Sequence, residues 1–468
     1  MRSGRQLIII IALLMCCSLY AFDANAATIN AASCSSSDVR TAISAASSGD
    51  TVLVPACPAG VSWTDSVATD VANQSGSVVI NKSNITLKGA GIGQTVINTR
   101  FSGGRSGGGI VIQRNMANVR ITGFTFDGGN SNPSWWQAIS IGGWNTRQGA
   151  TDFRIDHNRF QNYGAMNNAG MGEYVIESWG YGYGVIDHND FVDTRGEVLY
   201  LNGDGSPAYS RTPLVGGYTN GTIFIEDNTF TMLNCTGLGG NNECGNVIDG
   251  NEGIRYVFRH NTVVGSANAR WNQGVDSHGF CTCDALCAGG IFDIRSFVSI
   301  EAYENTISIG RSGNTTDSGW MPFAIRGGTG VIFNNTVYGA TGSVKFTNER
   351  SQTPAYGCNT SNWATPAYSN TSHVQNGAGI VEGAGPVYGN CRDQVQGWYV
   401  WNNKKNGSVA TFDADVYVEN SGWPVQDIVL NTNYFLEQQK PGYTPYPYPH
   451  PLVTGTSPPS APKNLRIQ

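Results

Sequence analysis

Apolar and polar residues alternate along this chain in short runs, and one such run keeps returning. It reads FRIDHNRF from Phe153, GVIDHNDF from Gly184, IFIEDNTF from Ile223, YVFRHNTV from Tyr256, EAYENTI from Glu301, VIFNNTV from Val331 and YVWNNKK from Tyr399. Apolar side chains occupy alternate positions up to an asparagine and resume two residues after it, which is the period of a strand and not of a helix. The asparagines are Asn158, Asn189, Asn228, Asn261, Asn305, Asn335 and Asn403, separated by 31, 39, 33, 44, 30 and 68 residues. Self-similarity at this spacing predicts a solenoid with one coil per repeat. The expected fold class is all-β, a single-stranded right-handed parallel β-helix with an N-terminal capping helix. Coils stack about 4.8 Å apart, with Ile155, Ile186, Ile225 and Phe258 in inward columns. Each Asn at a bend pairs with the Asn of the next coil, so a buried polar ladder is satisfied. His157, His188 and His260 precede that Asn and are expected to be structural or solvated.

The ends fit the same plan. Ser35 to Ala56 reads as an amphipathic helix capped by Ser37 or Asp38 and followed by a first strand; such a helix closes the open apolar end of the solenoid. Arg2 and Arg5, an apolar run from Leu7 to Cys17 and the Ala24-Asn25-Ala26 site form an export signal, so 1–26 is read as a signal peptide and Ala27 as the start of the mature chain. The β-helix domain is expected over 27–452, with a Pro-rich tail or linker over 453–468.

A second strand is laid out upstream of each Asn: VIESW, VLYLN, VIDGN, VDSH, AIRGG and SVKFT. Alternation turns Glu177, Tyr200, Asp249, Asp276, Arg326 and Lys345 outward on six consecutive coils, and Trp179, Asn202, Asn251 and His278 follow two residues later. From each stripe residue to the next Asn there are 12, 28, 12, 29, 9 and 58 residues, whereas the return legs span 19, 11, 21, 15, 21 and 10. The long insertions therefore leave beside the stripe, as insertions at a solenoid's binding face do.

Composition narrows the function. Sixty glycines and 13% charged residues suit short strands and tight turns, and a net charge of −6 argues against a nucleic-acid partner. No run after the signal is long and apolar enough to insert in a membrane. Once Cys16 and Cys17 leave with the signal, nine cysteines remain. Proximity pairs Cys34 with Cys57, Cys235 with Cys244 and Cys358 with Cys391, leaving Cys281, Cys283 and Cys287 as one disulfide and a free thiol, since their spacing is not that of a zinc site.

The segment Asp38 to Ile43 with Gly49 to Pro55, the Asn-ladder coils and the ending Gly442 to Pro451 resemble the bacterial secreted parallel β-helix proteins of the pectate-lyase-like superfamily. The resemblance implies the fold over nearly the whole mature chain. It implies no single activity, because that superfamily holds lyases, hydrolases, esterases and adhesins. Polygalacturonase-type motifs (Asn-Thr-Asp, Asp-Asp, Gly-His-Gly, Arg-Ile-Lys) do not occur at matching places, and the pectate-lyase arginine motif is not evident.

The residues themselves point to a polysaccharide partner and to a secreted monomer. Asp249, Asp276, His278, Arg326 and Lys345 are the catalytic candidates, and Glu177, Trp179, Tyr200, Asn202 and Asn251 the substrate-binding ones. Asp249 and Asp276 on adjacent coils are close enough to share a proton or a calcium ion. With Arg326 and Lys345 beyond them, the stripe has the polarity a uronate lyase needs. The same carboxylates suit glycoside hydrolysis, and a non-catalytic adhesin or structural cell-surface solenoid is the third reading. Trp135, Trp136, Trp144, Trp179 and Trp320 either stack sugars or pack beneath loops.

Overall fold

The computed structural model describes residues 26–99, 107–130, 137–143, 146, 148–167, 174–180, 182–203, 221–237, 240–251, 254–277, 297–310, 321–339, 342–347, 374–376, 379–381, 395–413, 416–419 and 428–455. They form a right-handed parallel β-helix of three long sheets with twelve, ten and eleven strands. One coil runs through Tyr174–Ser178 in the eleven-stranded sheet, Tyr183–Asp187 in the twelve-stranded sheet and Asp190–Val192 in the ten-stranded sheet. The next coil repeats the circuit in parallel register, Ile176 on Leu199, Ile186 on Ile225 and Phe191 on Phe230.

Alternation decides what fills the lumen. Ile155, Ile186, Ile225 and Phe258 are fully buried in one column, as the repeat requires. Phe126, Phe160, Phe191 and Phe230 stack in another, with ring centroids 5.2, 4.9 and 4.6 Å apart. Such columns bury apolar area continuously along the axis, the main favourable contribution in a repeat protein.

The ladder is built from the seven asparagines named above. Asn189 Nδ2 donates to Asn228 Oδ1 (3.0 Å) and to the carbonyls of Ile155 and Asp187 (2.8 and 2.9 Å), while its backbone N–H donates to Asn228 Oδ1 at 3.0 Å. The pattern recurs from Asn158 to Asn403. The residue before each Asn turns left-handed, with φ between 50° and 58° at His157, His188, Asp227, His260, Glu304, Asn334 and Asn402. Short polar and imidazole side chains tolerate that conformation best, which accounts for the histidines without chemistry. His157 and His188 stack at 5.0 Å, each bonded to the preceding aspartate.

The cap helix spans Ser36–Ala45 and buries Val39, Ala42 and Ile43. Its N-cap is Ser35, not Ser37 or Asp38: the Ser35 hydroxyl accepts from Asp38 N, which leaves Asp38 in the first turn, where a carboxylate is stabilised by the helix dipole. The Cys34–Cys57 and Cys235–Cys244 disulfides form as expected. Cys281, Cys283, Cys287, Cys358 and Cys391, residues 1–25 of the expected signal and residues 456–468 lie outside the described residues.

One feature was not anticipated. The ending TPYPYPHP does not trail away but turns back along the outer face of the twelve-stranded sheet. Tyr443 and Tyr446 join Tyr183, Phe224, Val257, Tyr303 and Phe333 in a second apolar cluster. Arg259 donates to the carbonyls of Tyr446 and Pro447 (2.7 and 2.9 Å), and Arg154 to those of Leu452 and Val453 (3.4 and 3.2 Å). Among the described residues no helix is long and apolar enough to cross a membrane.

Candidate active site

Three columns of side chains stand on the outer face of the eleven-stranded sheet. In the middle column Ser140, Glu177, Tyr200, Asp249, Asp276, Ala324 and Lys345 share one register position on successive coils. Glu177, Tyr200, Asp249, Asp276 and Lys345 thus come together as the alternation predicts. Arg326 does not join them in register. On its coil the strand is Phe323–Ile325, and burying both Phe323 and Ile325 in the lumen turns Ala324 outward instead. Arg326 stands two residues later, yet its Nη2 reaches Asp276 Oδ2 at 3.1 Å.

A further column holds Trp179, Asn202 and Asn251, with Asn202 and Asn251 paired on adjacent coils. His278 of this column lies outside the described residues, as do Trp135, Trp136, Trp144 and Trp320.

The third column is one that period-two reading misses. Gln137, Tyr174, Glu197, Asn246 and Gln273 each precede a middle-column residue by three positions, because the two residues between them both pack inward. These are Ala138 and Ile139, Val175 and Ile176, Val198 and Leu199, and Val247 and Ile248. On the fifth coil Val275 packs inward behind Gly274. The apolar doublets were visible in the sequence and were the signal for this shift of phase.

All of the charged candidates face away from the lumen, but none is open to solvent. Glu177 and Asp276 are 0% exposed, Asp249 and Arg326 2% and Lys345 8%, while Tyr200 is half-buried. Charges at such depth must be compensated. Asp276 accepts from Gln273 Nε2 (2.6 Å) and Arg326, and Asp249 from Asn251 Nδ2 (3.1 Å). Tyr256 reaches out from the lumen and donates to the Asp276 carbonyl at 3.0 Å, fixing that strand. Among the described residues Glu177 accepts a hydrogen bond only from the Ser140 hydroxyl, at 3.5 Å, with the Trp179 indole near it. Burial outweighs both and pushes its carboxyl up to about 8, so Glu177 is protonated at neutral pH. The Tyr174 phenol is driven far up by burial first and then by the surrounding Tyr200, Glu197, Glu177 and Asp249. Tyr174 and Tyr200 stack at 3.9 Å, and Trp179 meets the Tyr200 edge at 6.2 Å.

Asp249 and Asp276, the pair expected to share a proton or a calcium ion, are register partners on adjacent coils. Among the described residues no group of three or more His, Cys, Asp or Glu side chains is placed to hold a metal ion, and Asp276 is already engaged by a guanidinium and an amide. Several amides of the site do have unmet capacity. The side-chain oxygens of Asn202 and Asn251 accept no hydrogen bond, and both polar atoms of the Gln137 amide are buried without a partner.

No family model matches the chain, and no curated protein matches it by sequence. Solved structures do share its architecture. The tailspike protein of E. coli bacteriophage HK620, solved in complex with a pentasaccharide, is 13% identical with a TM-score of 0.46, and the alignment covers 86% of this chain and 62% of the tailspike chain. The A-module of the Azotobacter vinelandii mannuronan C-5 epimerase AlgE4 is 12% identical with a TM-score of 0.41, covering 89% of this chain and 99% of that one. This chain therefore spans less than two thirds of the tailspike chain. The strand ladders themselves define its class, the right-handed parallel β-helix proteins.

Proposed function

We propose that the protein is an exported carbohydrate-active enzyme that hydrolyses a polysaccharide laid across the eleven-stranded sheet. The observation that carries this reading is the placement of Glu177 and Asp249 in one column, two coils apart with Tyr200 as the register partner between them. Two strand spacings put their Cα atoms about 9–10 Å apart. Inverting glycosidases hold their two carboxyl groups about 6.5–9.5 Å apart, with room for a water, a separation that side chains rooted on these two Cα atoms can span. Glu177, kept protonated by burial, gives its proton to the leaving glycosidic oxygen. Asp249 takes a proton from the water that attacks the anomeric carbon from the other side. Tyr200, the half-buried member of the column, is where a sugar ring first meets the site, and aromatic faces suit that contact. Two disulfides support an oxidising, extracytoplasmic setting.

A uronate lyase is the second reading, favoured by Lys345 and Arg326 at the far end of the same face, where a cation neutralises a carboxylate and an amine takes the proton beside it. One assay separates the two. Polysaccharides incubated with the protein are scored for new reducing ends and for the ultraviolet absorbance of unsaturated uronates. Reducing ends without that absorbance support hydrolysis, reducing ends with it support the lyase, and binding with neither supports an adhesin. Under hydrolysis, Glu177→Gln and Asp249→Asn each lower turnover by about 10²–10⁴-fold. The wild-type rate falls as pH rises through about 8, where Glu177 loses the proton it must donate.

A further inference from the structure

Asp249 has a second acid beside it. Asp276 is its register partner on the next coil, one strand spacing or about 4.8 Å away at the backbone, and the two residues are 2% and 0% exposed. Two carboxylates that close and that dry share one proton unless another group neutralises one of them. Arg326, itself 2% exposed, does so: its Nη2 donates to Asp276 Oδ2 at 3.1 Å, and Gln273 Nε2 donates to the same oxygen at 2.6 Å. A guanidinium and an amide nitrogen only donate, so together they hold the Asp276 carboxyl as an anion. Glu177, two coils from Asp249, is protonated at neutral pH, and burial drives the phenols of Tyr174 and Tyr256, which both feel Asp249, far above their ordinary range. Tyr200 is the register partner on the preceding coil, with Glu197 three residues before it, and Lys345 lies beyond Ala324 at the far end of the column. Asn251 Nδ2 donates to Asp249 Oδ1 at 3.1 Å, which orients that carboxylate and brings no charge.

We propose that Arg326 is a positioning residue for the general base: by neutralising Asp276 it lets Asp249 stay ionised beside a second carboxylate. The role rests on the hydrolase reading, in which Asp249 takes a proton from the attacking water, and it adds the device that readies that base. Without the guanidinium a proton shared with Asp276 already occupies the Asp249 oxygen that water must reach. Asp276 and Arg326 therefore act as a unit. The harm done by losing Arg326 is undone by also removing the charge of Asp276, an outcome that a packing role for the guanidinium does not produce.

The test is the pH profile of reducing-end release by the full mature chain and its variants. In Arg326→Gln the acid side of the profile should lie about 1–3 pH units higher, with the side near 8 set by Glu177 left in place. Arg326→Lys, which keeps the charge, should leave the acid side near its wild-type position, and Asp276→Asn combined with Arg326→Gln should bring it back there. Asp276→Asn alone frees the guanidinium to act on Asp249 and should move the acid side down, so it serves where Arg326→Gln does not fold. Carbon-13 NMR of protein with labelled aspartate carboxyls, assigned with Asp249→Asn, reads the ionisation of Asp249 without relying on turnover and should move in the same directions. An acid side and an Asp249 titration that stay put in both Arg326→Gln and Asp276→Asn, or a double variant that does not restore them, overturn the proposal. Failure of the hydrolase reading looks different: Asp249 titrations that move as expected in a protein releasing no reducing ends keep Arg326 as the group that holds Asp249 ionised and remove hydrolysis, whereas cleavage with unmoved titrations keeps hydrolysis and removes the role of Arg326.

Discussion

At the scale of single residues, side chains with the same burial have opposite consequences. Asn228 and Glu177 are both closed off from solvent, but Asn228 is saturated with partners and Glu177 is not. Asn228→Ala orphans the Asn189 backbone N–H, removes one of the three acceptors of the Asn189 amide and breaks the ladder on both sides, so it should lower stability by about 2–4 kcal/mol in denaturant unfolding. His188→Asn, at the neighbouring left-handed position, should change it by less than about 0.5 kcal/mol. For Glu177 the sign reverses. Its folded-state pKa lies above the unfolded value, so the folded state holds a proton more tightly and stability falls as pH rises from about 4.5 to about 8. Glu177→Gln should therefore raise the melting temperature at pH 8 while lowering turnover by about 10²–10⁴-fold, a pairing expected of a working carboxyl and not of a structural one. A lower melting temperature in that variant would remove Glu177 from the catalytic assignment.

At the scale of elements, the C-terminal strap is the part whose energetics depend most on pH. His450 is fully buried, its Nδ1 accepts from Leu452 N at 3.2 Å, and its Nε2 meets the Tyr183 hydroxyl at 3.2 Å, so the ring is held neutral. Burial first, then Arg259 and Arg154, lower its pKa from 6.5 to about 3. Glu226, which accepts from His450 N at 2.8 Å, is the acid facing it and is itself paired with Arg259. A histidine with a depressed pKa contributes its full stability above about pH 6.5 and loses it as pH falls toward about 3, on the order of a few kcal/mol. Hydrogen exchange at pH 7 and pH 4 should show the backbone of 443–454 losing protection at the lower pH, and His450→Gln should flatten that dependence. The small loop closed by Cys235–Cys244 is a second such element: Cys235→Ser with Cys244→Ser should cost about 2–3 kcal/mol.

At the scale of the whole molecule, the parts legible in the sequence were those governed by a repeated local rule. A period of two and a recurring Asn determine the lumen and the ladder over the seven coils that carry the Asn, because each of these must satisfy the same packing. The middle column followed from that rule at Glu177, Tyr200, Asp249, Asp276 and Lys345. It failed at Arg326, where two larger apolar neighbours, Phe323 and Ile325, set the phase of the strand. The outer column at Gln137 and Tyr174 stayed hidden because an inward doublet breaks the alternation. The strap stayed hidden because nothing periodic links Tyr446 to Phe224, more than two hundred residues earlier. That link has a mechanical consequence. A solenoid whose coils touch only their neighbours frays from its end one rung at a time. Here the last described residues are anchored on the coils of Arg154, Tyr183 and Arg259, deep in the stack. A pull on the C-terminus would load those inner coils in shear before the outermost one could peel, so the chain should resist stretching as a bundle bound by a cord and give way in one large step.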